Sequence, residues 1–139
     1  MSITEEISGY ISEHKQEAYD LLIELARIPA PSGREERRAK YIKEWLEAKG
    51  AKGVYIDDAL NVVYPAGCAD PAECADPAEC ADPAGCAGEN PVCVFSAHTD
   101  VVFPDETELP VAVREGMLYA PGIGDDTANV AALMIAAGY

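Results

Sequence analysis

The sequence predicts an α/β domain, and three features of its 139 residues predict it. Two N-terminal stretches carry apolar residues at helical spacing behind helix-start signals. Short β-rich segments follow them. The chain then closes on a run of Ala, Val, Leu and Ile that suits a helix packed against a sheet. Helices alternating with strands build layered α/β architectures. The length is that of one ordinary domain, and 49% apolar with 25% charged residues is globular composition.

Ser2 and Glu5 form a capping-box pattern, after which Ile7, Ile11, Ala18, Leu21, Leu22 and Leu25 share one helix face. Pro29 and Pro31 close that helix. Ser32 with Glu35 opens a second by the same device; Tyr41, Ile42, Trp45 and Leu46 give its apolar stripe, and Gly50 is placed to stop it. Residues 54–56 and 61–64 read as short strands about an Asp57-Asp58-Ala59-Leu60 turn. Residues 92–96 are apolar almost throughout, which predicts a strand buried on both faces with Cys93 in the core. Residues 111–114 and 117–120 read as a hairpin around Glu115-Gly116, and residues 127–137 as the last helix.

Residues 68–87 break this pattern with a Cys-Ala-Asp-Pro-Ala-Glu repeat. Each Asp-Pro-Ala-Glu is a helix start, but the next Pro arrives before a helix can grow. No large apolar side chain offsets the entropy of ordering it. Removing the repeat joins Gly67 to Gly88 and leaves a short connection between strands, so it reads as an expansion in a surface loop of one domain spanning residues 1–139. Cys68, Cys74, Cys80 and Cys86 are each separated by five residues. Zinc sites built on cysteine use closer pairs, so a metal held there is an opportunistic capture.

Ten basic against 25 acidic residues give a formal charge of -15. That balance excludes nucleic acid and anionic membrane surfaces as partners, because both need clustered Lys and Arg. The longest apolar run, residues 130–137, is too short to span a bilayer. The N-terminus has neither the basic nor the apolar region of a secretory signal, so a cytoplasmic protein with reduced thiols is expected.

Two motifs carry chemistry. The apolar stretch ending at Ala97 delivers His98 to a strand's C-terminal end, where ligands collect in open α/β sheets. Asp100 follows two residues later on the same side of an extended chain, where it can fix the tautomer of a metal-ligating imidazole. Taken alone, a His-x-Asp triplet reads as a surface turn, and the second motif changes that balance. The second motif, Pro121-Gly122-Ile123-Gly124-Asp125-Asp126, sets two carboxylates on a strand-to-helix turn framed by glycines. A carboxylate there can bridge two cations, as in two-metal hydrolytic sites. One of the pair as a helix cap accounts for the acid but not for the glycines. His14 reads as a helix-surface residue rather than a ligand.

Residues 96–102 and 118–126, with Arg27-Ile28-Pro29-Ala30-Pro31-Ser32-Gly33 and Glu35, resemble the co-catalytic zinc metallopeptidases: peptidase T, carboxypeptidase G, aminoacylase, acetylornithine deacetylase and succinyl-diaminopimelate desuccinylase. The resemblance implies a three-layer α-β-α catalytic domain with a mixed sheet, incomplete in this chain. It implies two zinc ions, with cobalt or manganese as alternatives, His98 as a ligand, Asp125 as the bridge, and Asp100 as the catalytic residue that orients His98. It also makes Asp125-Asp126 a candidate for the cis peptide that family members often carry after the bridging Asp. Thr127-Ala128 stand where the family usually has Lys-Gly.

By the same resemblance the activity is cleavage of peptide or N-acyl amide bonds by metal-activated water, on a peptide or N-acyl amino acid substrate, in an enzyme that forms a homodimer. The family's Glu base and its remaining ligands lie further along than Tyr139. An N-terminal fragment, inactive alone, is therefore expected. The alternative reading is a non-catalytic metal-binding or interaction module that uses the Cys/Asp/Glu repeat.

Overall fold

The computed structural model describes residues 4–66 and 93–139. The repeat at 68–87, and with it the surface-loop reading, lies outside the described residues. Helix α1 spans Glu5–Arg27 and α2 spans Glu36–Ala48; β1 (Tyr55–Ile56) and β2 (Val62–Val63) follow, then β3 (Ala112–Arg114), β4 (Met117–Tyr119) and α3 (Ala128–Ala136). The α/β class holds. Among the described residues it comprises three α-helices, a π-helical turn at Ile123–Thr127 and two antiparallel two-stranded sheets, β1-β2 and β3-β4.

The helix starts differ from those predicted. Thr4 caps α1, its hydroxyl accepting the Ile7 N–H at 3.3 Å. Threonine makes the same capping bond as serine, so the cap stands two residues later than expected, without the reciprocal Glu of a capping box because Ile7 occupies the third helical position. At α2, Glu35 is the cap residue and no side chain caps the helix. Its carboxylate accepts the Gly33 N–H, and the Ser32 hydroxyl is drawn away to a distant carboxylate. The ends match the sequence: Ile28 terminates α1 before Pro29, and Gly50 follows α2 with a φ of 95°.

Leu21 and Leu25 of α1, Ile42 and Leu46 of α2, and Val130, Ala131 and Met134 of α3 form the core with Val54. Removing this apolar surface from water is the main stabilising term. The stripe of α1 buries only its C-terminal half, since Ile7 and Ile11 are exposed. In the β1-β2 turn, Asp57 Oδ1 accepts the N–H groups of Ala59 and Asn61 at 3.0 and 2.9 Å. The β3-β4 hairpin closes through Glu115 and Gly116, both at positive φ, as a tight two-residue turn requires.

The predicted doubly buried strand is not formed. Residues 93–96 carry no strand pairing, Val94 and Phe95 are exposed, and Cys93 is an exposed free cysteine rather than a core residue. A strand is buried on both faces only when it lies inside a sheet covered by helices on each side. Among the described residues the nearest sheet contact is a single parallel bridge, Pro31 to Val101. No described helix is long and apolar enough to cross a membrane.

Candidate metal centre

Three segments distant in sequence meet at one place. The loop after α1 is joined to the His98 segment by the Pro31–Val101 bridge and by the Val101 N–H, which donates to the Ala30 carbonyl at 2.8 Å. The third segment is the turn from Gly122 into α3. Gly122 has a φ of 67°, and a Cβ built on it would stand 2.3 Å from Val101 Cγ1. Glycine is therefore required both by the backbone angle and by the close approach of the two turns.

His98, Asp100 and Asp125 come together. Imidazole Nδ1 lies 3.1 Å from Asp100 Oδ1, and Nε2 lies 3.0 Å from Asp125 Oδ1. The Ser32 hydroxyl donates to the other Asp100 oxygen at 2.5 Å. Asp126 accepts the His98 backbone N–H at 3.2 Å and a bond from the Asn129 amide. Asp126 thus braces the motif, and neither acid caps α3 through the backbone. The Asp125-Asp126 peptide is cis. His14 stacks on Tyr10 in α1 and bonds the Tyr10 carbonyl.

The electrostatics follow from these contacts. The Ser32 hydroxyl holds the Asp100 carboxyl below the usual range, helped by His98. The bond to Asp125 pushes the His98 imidazole up, with Asp100 adding to it. When protonated, the ring can donate to both carboxylates, Nδ1–H to Asp100 and Nε2–H to Asp125.

That arrangement suits a divalent cation. With Nδ1–H held by Asp100, Nε2 is the nitrogen left to bind a metal, and a carboxylate oxygen faces it. Two donors of a tetrahedral zinc stand about 3.4 Å apart, so the 3.0 Å pair needs only a small opening once the shared proton leaves. The donor set is partial. Among the described residues, no group of three or more His, Cys, Asp or Glu side chains is placed to hold a metal.

Two residues that the motifs did not single out complete the framework. Arg38 is 1% exposed and Thr127 is 1% exposed. Arg38 Nη1 donates to the Thr99 carbonyl at 2.8 Å, and Nη2 donates to the Ile28 carbonyl at 2.6 Å. The Thr127 hydroxyl donates to the Gly122 carbonyl at 2.9 Å. A signal for Arg38 was available, since it stands four residues before Ile42 and seven before Trp45, on the apolar stripe of α2. Thr127 occupies the position where the resemblance led to an expected lysine, and the cation beside it is Arg38.

Comparison with known proteins bears on the same residues. The profile of Peptidase family M20/M25/M40 matches residues 94–138, which include both motifs. A protein of Pyrococcus abyssi (strain GE5 / Orsay), provisionally named a LysW-lysine/LysW-ornithine hydrolase, is 32% identical over 122 residues. That match covers 88% of this chain and 29% of the relative, so the chain spans under a third of the length of the curated protein it matches. The family match thus falls on His98, Asp100 and Asp125, and over these residues the polypeptide is similar to peptidase family M20/M25/M40.

Proposed function

We propose that this chain contributes part of the two-metal site of a hydrolase that cleaves peptide or N-acyl amide bonds. The observation that carries the reading is the imidazole of His98, held by Asp100 on one side and facing Asp125 on the other. His98 and Asp125 would hold divalent cations, zinc by preference, since imidazole and carboxylate are ordinary zinc donors. Bound there, a cation supplies Lewis-acid polarisation of the scissile carbonyl.

The remaining roles belong to the protein. Asp100, kept ionised by Ser32, accepts the Nδ1 proton and fixes which nitrogen faces the metal. Asp126 holds the His98 backbone against the turn that carries Asp125. These carboxylates are engaged by their own hydrogen bonds, so a proton shuttle must come from another group, and we take this polypeptide to be inactive alone. The hydrolase reading agrees with the name of the Pyrococcus abyssi relative.

Zinc titration of a variant carrying Ser at Cys68, Cys74, Cys80 and Cys86 tests the reading. Binding should persist in that variant and fall at least tenfold on His98→Ala or Asp125→Asn. Binding that follows the cysteines and ignores His98 and Asp125 would overturn it. Assay with small peptides and N-acyl amino acids should show no turnover by this chain alone.

A further inference from the structure

We propose that Arg38 is the positioning residue of this site, setting the separation of His98 and Asp125 by tying together the two turns that carry them. The inference rests on the metal-site reading and adds a residue to it. Arg38 is the largest fully buried side chain among the described residues. A buried guanidinium carries a desolvation cost that a Met or Leu of similar volume does not, so packing alone does not select arginine here.

Its donors go to backbone and hydroxyl oxygens rather than to a partner carboxylate. Nη1 reaches the Thr99 carbonyl at 2.8 Å and the Thr127 hydroxyl at 3.3 Å, while Nη2 reaches the Ile28 carbonyl at 2.6 Å. Thr99 is the residue between His98 and Asp100. Thr127 passes the linkage on, its hydroxyl donating to the Gly122 carbonyl and closing the turn that presents Asp125. One planar fork thus fixes the end of α1, the His98 turn and the Asp125 turn against one another. An ammonium on a flexible stem cannot reach all three with the same geometry. Burial lowers the guanidinium to about 10, opposed by attraction to Asp100, so it keeps its charge at neutral pH. Its Nε has no hydrogen-bond partner among the described residues, a further cost that a space-filling side chain would avoid.

The test uses the full chain with Cys68, Cys74, Cys80, Cys86 and the exposed Cys93 replaced by Ser, so that thiols do not compete for zinc. Zinc affinity is measured by chelator competition, and the His98 ring resonances are recorded by NMR without zinc, for R38K, R38M, T127V and R38M/T127V. R38M should weaken zinc binding by about 10–100-fold, the range for groups that orient a ligand, and should move the His98 Nε2 resonance. R38K should recover part of both. T127V should act in the same direction and add nothing in the R38M background. A folded R38M with zinc affinity within twofold of its parent and unmoved His98 resonances would sink the proposal. If R38M does not fold, R38K and T127V decide, and no change in either readout for both overturns it. Failure of the metal-site reading looks different. The parent would then bind no zinc through His98, while the zinc-free resonances would still report on Arg38.

Discussion

Ser32 donates its hydroxyl hydrogen to Asp100 Oδ2 across 2.5 Å, joining residues 68 positions apart in the chain. This bond is the largest influence holding the Asp100 carboxyl below its ordinary range. Ser32→Ala should therefore raise the Asp100 carboxyl toward the ordinary value and loosen the imidazole it orients. Zinc affinity should fall by about 10–100-fold, with little change in thermal stability because the pair is exposed. Isothermal titration with zinc and a melting curve on the same sample check both halves.

The pH response of the metal-free protein follows from His98. Its imidazole is raised above the ordinary histidine value, chiefly by the bond to Asp125. A raised value means that this pair's contribution to stability is fully present below about 6.5 and is lost as pH rises through the folded-state value. Asp125→Asn should bring the His98 titration down, read from ring proton shifts across pH 5 to 9. Zinc and the proton compete for the same nitrogen, so zinc affinity should fall as the buffer is made more acidic through the His98 value.

Gly122→Ala places a methyl group 2.3 Å from Val101 Cγ1 at a φ of 67°. Overpacking costs about 1–3 kcal/mol before the backbone penalty is counted. The variant should lose stability by at least that much in urea. It should also lose zinc binding, because the turn it pushes away is the one bearing Asp125.

Leu25 is 0% exposed at the centre of the helical core. Leu25→Ala should cost about 2–5 kcal/mol by denaturant unfolding, the range for a leucine truncated in a packed interior. Ile11→Ala, at 55% exposure on the same helix, should change stability by under about 0.5 kcal/mol. Equal losses for the two would mean that the N-terminal half of α1 is covered in solution.

The sequence carried what is local. Apolar spacing and prolines marked α1 and α2, and Glu115-Gly116 marked the hairpin, because helix periodicity and turn chemistry act over a few residues. His98, Asp100 and Asp125 could be singled out as types at strand-end and turn positions. What brings them together could not, since it runs through bonds spanning 61 to 89 positions, from Arg38 to Thr99 and to Thr127. Ser32 shows the limit most clearly. Its spacing to Glu35 is that of a capping box, yet its hydroxyl goes to Asp100, a partner that no local pattern names. The apolar run at 92–96 misled for the opposite reason, because burial on both faces depends on neighbours that a strand's own residues do not supply.

The long reach of Arg38 has a consequence for how this chain tolerates change. Its bond to Thr99 closes a 61-residue span, and residues 68–87 lie inside that span. Closure entropy grows only as the logarithm of loop length, so excising those 20 residues alters the cost of bringing the ends together by about 0.4 kcal/mol. Deleting whole repeat units between Gly67 and Gly88 should therefore shift the unfolding free energy by under about 1 kcal/mol, read by denaturant unfolding. The contacts on either side, from Arg38 to Thr99 and to Thr127, have no such latitude.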